Sequence, residues 1–205
     1  MVKPNQKISR VQAKRNVVFD AASEVFALYG YKRTTMQDIA QAVGFSRPAL
    51  YLLFDNKETL FRELTDYRLN KALDATITKL AEKEELKIRI IHALLIFESI
   101  FYEPVSKSPH GAELMDINQS LASDVMAKGF LNLVTSFAAE LKTAEKNKKV
   151  SFKDTVLTPK SFFELLLTAL IGIKKKAKNR ADFRKQTELV AGIFLDSIAI
   201  KEKYI

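Results

Sequence analysis

The chain has 205 residues, of which 47% are hydrophobic and 28% are charged, a balance typical of globular proteins that excludes a largely disordered one. It contains no cysteine, and its two histidines, His92 and His110, are too far apart for a metal-ligand motif, so the composition excludes disulfide scaffolds and predicts neither a metal nor a cofactor. No apolar run reaches the roughly 18 residues of a membrane-spanning helix, and no secretory signal precedes the chain's first helical pattern. We therefore expect a cytoplasmic protein without a membrane partner.

The formal net charge of +9 is distributed unevenly. The first fifteen residues contain no acidic side chain and five basic ones, Lys3, Lys7, Arg10, Lys14 and Arg15. Such a basic arm indicates either a polyanionic partner or a solvated terminus. We interpret a second basic cluster, at 174–180, as cations placed at the negative end of a helix dipole.

The first two predicted helices follow from local spacing and from their end residues. Apolar residues recur at helical intervals over 14–29, and Gly30 then provides the left-handed residue that ends many helices. Thr35 and Asp38 predict a capping box at the start of a short second helix. Gly44 is expected to end that helix.

A third and a fourth helix follow directly. Ser46 is the expected N-cap of a helix over 47–53, and Pro48 lies in its first turn, where a missing N–H has no cost. Asp55 and Glu58 predict another capping box, which opens a long fourth helix.

The rest of the chain is also helical in pattern. The segment 88–102 is apolar on every side, which indicates a buried helix, and Pro104 is expected to end it and to begin a loop. Further helices are predicted over 111–121, 123–146, 159–176 and 180–201, and Thr158 followed by Pro159 is the expected capped start of the third of these. With about nine helices and no convincing strand, the predicted fold class is all-α.

Residues 34–54 carry the pattern that points to a function. Two short helices joined by a tight turn that contains glycine are typical of a helix-turn-helix. In that motif the second helix lies in the major groove of DNA, with its first residues at the base edges. Ser46, Arg47 and the free N–H groups of the first turn suit this role, because a helix N-terminus also favours phosphate.

The run from Val17 to Phe61 resembles the DNA-binding domain of the TetR (tetracycline-repressor-like) family of bacterial regulators. The resemblance is carried by Ala21-Ala22, Phe26, Gly30-Tyr31, Thr34-Thr35-Met36, Asp38-Ile39-Ala40, Gly44, Ser46, Leu50-Tyr51, Phe54, Asn56-Lys57-Glu58 and Leu60-Phe61. It implies a three-helix DNA-binding domain over 1–58, which includes the basic arm, and a helical effector-binding and dimerisation domain over 59–205. Ala21, Phe26, Ile39, Ala40, Leu50 and Phe54 are the expected core of the first domain.

The resemblance assigns DNA contacts to Thr35, Gln37, Ser46, Arg47, Pro48, Tyr51, Leu53 and Lys57. Arg47 is expected to face base edges and to grip the two acceptors of a guanine, and Tyr51 and Lys57 to contact phosphate. The family often has polar or aromatic residues where this chain has Leu52-Leu53, so Leu53 is expected to contact a thymine methyl instead. The structural alternatives are a solvated Arg47, a Tyr51 at the edge of the core and a Lys57 at the surface of a helix start.

The second domain is predicted to bind a small-molecule effector and to form a homodimer through its last two helices, which are apolar on more than one face. Glu98 stands in an otherwise apolar helix, where a carboxylate binds a cationic or hydroxylated effector, pairs with a lysine or faces solvent. The candidate pocket residues are Glu98, Phe101, Met115, Asn118 and Phe137.

The sequence thus predicts a ligand-responsive repressor that an effector releases from double-stranded operator DNA. The alternative is an effector-independent DNA-binding or helical interaction protein with a degenerate pocket. An enzyme is disfavoured, because we find no nucleophile–base pair, no glycine-rich phosphate loop and no metal cluster in the sequence.

Overall fold

A computed structural model describes the backbone of residues 4–200 and the side chains of residues 10–200 other than that of Lys175. This part of the chain forms ten α-helices and one isolated antiparallel bridge, between Val150 and Ala199, which confirms the all-α class. None of these helices combines the length and the hydropathy that a bilayer crossing requires. The helices are α1 (Pro4–Tyr29), α2 (Met36–Val43), α3 (Arg47–Tyr51), α4 (Lys57–Leu80), α5 (Leu86–Phe101), α6 (Glu103–Ser106), α7 (Gly111–Leu121), α8 (Ser123–Lys146), α9 (Pro159–Lys176) and α10 (Arg180–Ile198).

Several predicted helix ends are confirmed. Thr35 and Asp38 form the capping box of α2, and Gly44 ends α2 in the left-handed conformation with φ 75°. Ser46 caps α3 by accepting a hydrogen bond from the backbone N–H of Ala49. Thr158 caps α9, with proline in the first turn as expected.

Other boundaries differ from the prediction. The first helix begins at Pro4 instead of residue 14, and α3 ends at Tyr51 instead of residue 53. The predicted loop after Phe101 contains the one-turn helix α6, which raises the number of helices to ten among residues 4–200. Pro104 does not prevent this turn, because it lies at the start of α6, where a backbone N–H has no helical partner.

The cap of α4 is also corrected. The helix begins at Lys57, and its N-cap is Asn56, whose Oδ1 accepts the backbone N–H of Thr59 at 2.8 Å. Asp55 is therefore one residue too early to cap the helix. Aspartate and asparagine are almost equally good caps, so the sequence alone does not separate the two positions.

This correction predicts a difference between two neighbouring substitutions. We expect Asn56→Ala to lower the free energy of unfolding by about 1 kcal/mol, because the N–H of Thr59 loses its acceptor. Asp55→Ala, at an exposed position, should change it by less than about 0.5 kcal/mol. Urea denaturation of the two variants measures both values, and a larger loss for Asp55→Ala would contradict the assignment.

The described chain divides into two compact units. The first consists of the chain up to Lys71 together with Ser99–Gly129. In its core Phe26, packed edge-on against Phe61, lies in one apolar cluster with the buried faces of α2 and α3. The expected core residues Phe26, Ile39, Ala40, Leu50 and Phe54 are all buried, whereas Ala21 is only half-buried.

Arg15 is half-buried against the core of this first unit and does not belong to a solvated arm. Its guanidinium donates to the carbonyl oxygen of Leu53 at 2.7 Å, lies 4.4 Å from the ring centre of Phe54 and pairs with Glu63. Arg15 thus holds the chain that leaves α3. Of the predicted basic arm, Arg10 and Lys14 are exposed on α1, while Lys3 and the side chain of Lys7 lie outside the described residues.

The second unit consists of Ala72–Glu98 together with the chain from Phe130 onward. Aromatic rings fill its core: Phe137 stacks on Phe163 with 4.2 Å between ring centres, and Phe162 packs edge-on against Phe152 and Phe194. Here α9 and α10 pack against each other. Both helices also keep large apolar side chains exposed, which are Leu165, Ile171, Leu189 and Ile193.

Candidate nucleic-acid interface

The α2–α3 pair is fixed by hydrogen bonds at its ends and by burial of one face. Asp38 Oδ2 accepts from the backbone N–H and the hydroxyl of Thr35 at 2.8 and 2.7 Å, and these bonds hold the pKa of Asp38 below its usual value. Ile39 and Leu50 anchor the two helices in the core. The opposite faces are consequently presented in a fixed orientation.

The exposed face of α3 begins with polar and charged groups. Ser46, Arg47 and Pro48 are exposed, and so are Thr35 and Gln37 at the start of α2. The first turn of α3 adds the backbone N–H of Arg47, because Pro48 has no N–H and Ala49 donates its own to Ser46 Oγ. Such a surface suits an anion or the edges of bases.

Tyr51 lies on the same helix and is 40% exposed, so it is more than an edge residue of the core. The guanidinium of Arg47 lies 5.6 Å from the centre of the Tyr51 ring. Their polar ends are therefore available together on one surface. The contacts predicted for both residues with DNA remain predictions.

The two leucines that follow α3 have opposite environments. Leu53, the predicted thymine contact, is half-buried and packs against the core cluster. Leu52, the C-cap of α3, is 87% exposed. The exposure of Leu52 could be expected from its position, because an apolar residue one position before a core contact belongs to another face of a helical turn.

Lys57 is more constrained than a surface lysine. Its ammonium donates to the carbonyl oxygens of Tyr31 and Thr34, both at 2.8 Å, and lies 4.4 Å from the ring centre of Tyr31. Burial lowers the pKa of Lys57, and the carboxylate of Glu113 opposes that shift. Since an ammonium has three N–H donors, one remains for the predicted phosphate contact.

These contacts give Lys57 a structural role that can be tested. We expect Lys57→Met to lower the free energy of unfolding by about 1–3 kcal/mol, because two carbonyl oxygens lose a charged donor. Lys83→Met, which removes the same charge at an exposed position, is the matched control and should have little effect. Thermal unfolding of both variants measures the difference, and equal stabilities would show that the two hydrogen bonds do not hold the chain.

The predicted effector residues do not all lie in one unit. In the first unit, Phe101 and Asn118 line a cavity of about 30 Å³, together with Arg68. Arg68 donates to the carbonyl oxygen of Phe101 at 3.0 Å, and burial lowers its pKa. Met115 is 40% exposed.

Glu98 and Phe137 belong to the second unit. Phe137 is fully buried against Phe163, and Glu98 Oε1 lies 3.9 Å from Nζ of Lys174. Burial lowers the pKa of Lys174 to about 8, and Glu98 opposes the shift. Of the alternatives for Glu98, the structure thus favours the lysine pair. Residues 10–200 apart from Lys175 contain no group of three or more acidic or histidine side chains placed to hold a metal ion.

Comparison with known proteins gives a family match and several relatives. Residues 18–64 match the family model of bacterial regulatory proteins, tetR family. The HTH-type transcriptional regulator YfiR of Bacillus subtilis is 38% identical over 56 residues, which cover 27% of each chain. The HTH-type negative transcriptional regulator IcaR of the Staphylococcus aureus biofilm operon icaADBC is 26% identical over 189 residues, covering 73% of this chain and 98% of IcaR. The match to the first of these relatives spans less than a third of its length.

Two solved structures extend the similarity to the whole fold. A TetR-family transcriptional regulator from Mesorhizobium loti has a TM-score of 0.74 at 21% identity, over 93% of this chain and 99% of that one. The complex of SmeT with triclosan has a TM-score of 0.68 at 17% identity, over 94% and 95% of the chains. SmeT is the repressor of the Stenotrophomonas maltophilia multidrug efflux pump SmeDEF. At these identities the likeness concerns the fold.

Proposed function

Because the chain belongs to the TetR family of bacterial regulatory proteins, we propose that it is a transcriptional regulator that binds double-stranded operator DNA through α3. The observation that carries the proposal is the exposed, capped start of α3 at Ser46 and Arg47, held on a buried core. A short helix with polar groups at its N-terminus fits the major groove. We further propose that residues 1–58 contact DNA and residues 59–205 bind the effector and the second protomer.

Phosphate contacts would surround α3 and fix its orientation. Thr35 and Gln37 at the start of α2 and Tyr51 on α3 are exposed, and Lys57 retains one N–H donor. Groups of this kind position a protein on the duplex without reading its sequence. The exposed basic residues of α1, Arg10 and Lys14, would add a salt-dependent attraction.

A homodimer would present two copies of α3. The support is the apolar surface of α9 and α10, where Leu189 is 62% and Ile193 60% exposed. Large apolar side chains exposed on two neighbouring helices are typical of an interface between subunits. A two-fold dimer places its recognition helices about 34–36 Å apart, one turn of DNA.

The regulator would be a repressor that a small molecule releases from DNA. IcaR is a negative regulator and SmeT binds triclosan, which supports this for relatives of the same family. Effector binding would shift α4, which begins at Lys57. The distance between the two copies of α3 would then change and no longer match the turn of the DNA. A coupling free energy of about 1–3 kcal/mol would lower operator affinity by about 5- to 150-fold.

Selection of duplexes from a random double-stranded pool at low salt, followed by titration of the enriched sequence, tests DNA binding. We expect a near-palindromic sequence and an affinity that falls steeply with salt. Protein that enriches no sequence and shifts no duplex at low ionic strength would refute the proposal.

An effector-independent regulator is the second candidate, and one observation favours it. The cavity lined by Phe101 and Asn118 offers about 30 Å³, whereas pockets for small ligands usually offer about 300–1,000 Å³. A thermal-shift screen of apolar and cationic compounds separates the two candidates. A compound that raises the unfolding temperature and weakens operator binding supports ligand release, and a screen without such a compound supports the second candidate.

A further inference from the structure

The segment 108–113, between α6 and the first turn of α7, contacts the end of α1 and the α1–α2 turn (residues 30–34). Ser108 Oγ donates to the carbonyl oxygen of Ala27 at 2.5 Å and accepts the backbone N–H of His110 at 2.9 Å. Glu113 Oε1 accepts the backbone N–H of Lys32 at 2.8 Å. All of these residues belong to the first unit, although 81 positions separate Lys32 from Glu113.

The carboxylate of Glu113 lies so close to the turn that a side chain at residue 30 would displace it. A Cβ added to Gly30 would lie 2.3 Å from Glu113 Oε2 and 3.0 Å from Nδ1 of His110, and the φ of Gly30 is +79°. The left-handed backbone at residue 30 favours glycine, and the missing Cβ lets the carboxylate of Glu113 approach the turn.

Two opposite charges hold this one turn. Lys57 donates to the carbonyl oxygens of Tyr31 and Thr34 in the turn, and Glu113 accepts the backbone N–H of Lys32. The turn ends where α2 begins, at Thr35. Without these partners, the backbone groups of Tyr31, Lys32 and Thr34 would turn to water, and the turn would keep only its internal bonds from Thr34 to the carbonyl oxygen of Gly30.

We propose that Glu113 is a positioning residue for DNA binding: by holding the amide of Lys32 it fixes the α1–α2 turn, and with it the start of α2, without contacting DNA itself. The proposal rests on the proposed function, since it concerns how well the α2–α3 surface fits an operator. Glu113 lies outside residues 18–64, so the match to the family model does not include it. A residue of α7 thus belongs to the DNA-binding apparatus.

The charge of Glu113 and its hydrogen bond predict opposite effects of a substitution on operator affinity. DNA is a polyanion, so removing a carboxylate near a DNA-binding surface strengthens binding if the carboxylate acts only through its charge. If Glu113 acts through its hydrogen bond, removing that bond weakens operator binding whatever happens to the charge. Three substitutions separate the two effects: Glu113→Asp keeps the charge and shortens the side chain, Glu113→Gln keeps an acceptor oxygen without the charge, and Glu113→Ala removes both.

The experiment measures operator affinity and backbone hydrogen exchange for the three full-length variants, with Asp116→Asn as the control. Asp116 is an exposed acid of the same helix, so its substitution changes the charge alone. We expect Glu113→Asp and Glu113→Ala to weaken operator binding about fivefold or more, Glu113→Gln to stay within about twofold of the original chain, and Asp116→Asn to bind equally or more tightly.

Hydrogen exchange in the absence of DNA provides an independent readout. We expect the amide of Lys32 to exchange faster in Glu113→Asp and Glu113→Ala than in Asp116→Asn. Affinities that follow charge alone, with the Asp variant unchanged and the Gln and Ala variants tighter, would overturn the proposal. An unchanged exchange rate at Lys32 would also overturn it, and this result does not depend on DNA; an original chain that binds no duplex would instead refute the proposed function.

Discussion

Leu189→Asp combined with Ile193→Asp is expected to convert the proposed dimer into a monomer and to lower operator affinity by at least about 100-fold. The two side chains lie four residues apart on α10 and are 62% and 60% exposed. In an apolar interface the introduced carboxylates would lose their hydration without gaining a partner. The free energy of dimerisation would not offset this desolvation cost. A monomer would then contact one half-site and lose the gain from simultaneous binding of two.

Sedimentation and titration of operator DNA measure this result. The mass should fall from twice 23.2 kDa to 23.2 kDa, while the unfolded fraction stays small because both positions are exposed. Ile77→Asp combined with Ile88→Asp is the matched control, since these isoleucines of α4 and α5 are also partly exposed, at 48% and 45%. A double Leu189/Ile193 variant that stays dimeric, or that binds DNA as a monomer with full affinity, would contradict dimerisation through α10.

Arg47→Ala is expected to cost about 1–3 kcal/mol of operator binding, or roughly 5- to 150-fold in affinity, and to relax the preference at one base pair. Arg47 is the first residue of α3 and is exposed, which would place its planar guanidinium at the two acceptors of a guanine. Arg47→Lys should recover little of the loss, because an ammonium does not match the two acceptors as a pair.

Titrations against operators substituted at each position measure the change in preference. Lys128→Ala removes one exposed positive charge from α8 and is the control for net charge. If Arg47→Ala weakened all sequences alike and made the salt dependence shallower by about one unit, Arg47 would hold a phosphate and not a base.

The parts of the fold that were predictable from sequence are those determined within a few residues. The caps at Thr35, Ser46 and Thr158 each satisfy a backbone N–H of their own helix, and Gly44 adopts the φ that its position requires. Helical periodicity placed the core residues Ile39 and Leu50 on the buried faces for the same reason.

The parts that were not predictable depend on partners far along the chain. Arg15 was assigned to a basic arm and Lys57 to a phosphate contact because both are cationic. Their guanidinium and ammonium groups instead bond to carbonyl oxygens 38, 26 and 23 positions away. Glu113 has no sequence pattern that connects it to Lys32. Such contacts exist only once the helices have packed.

Two further differences concern neighbouring residues whose chemistry is so similar that the sequence does not distinguish them. Asn56 and Asp55 are both good caps, and in the structure it is the side chain of Asn56 that accepts the backbone N–H of Thr59. Leu52 and Leu53 are chemically identical, and the end of α3 at Tyr51 turns one outward and the other toward the core. The caps of α2 and α3 were therefore predictable from the sequence, whereas the distant contacts that hold these helices were not.

Methylation interference on the selected operator tests most directly whether α3 lies in the major groove. Methyl groups on guanine N7 project into the major groove, and those on adenine N3 project into the minor groove. We predict that N7 methylation blocks binding in two clusters centred about 10–10.5 base pairs apart, and that Arg47→Ala abolishes the interference at one guanine of each cluster. Binding that tolerates N7 methylation throughout and is blocked only by methylation of adenine N3 would contradict the account.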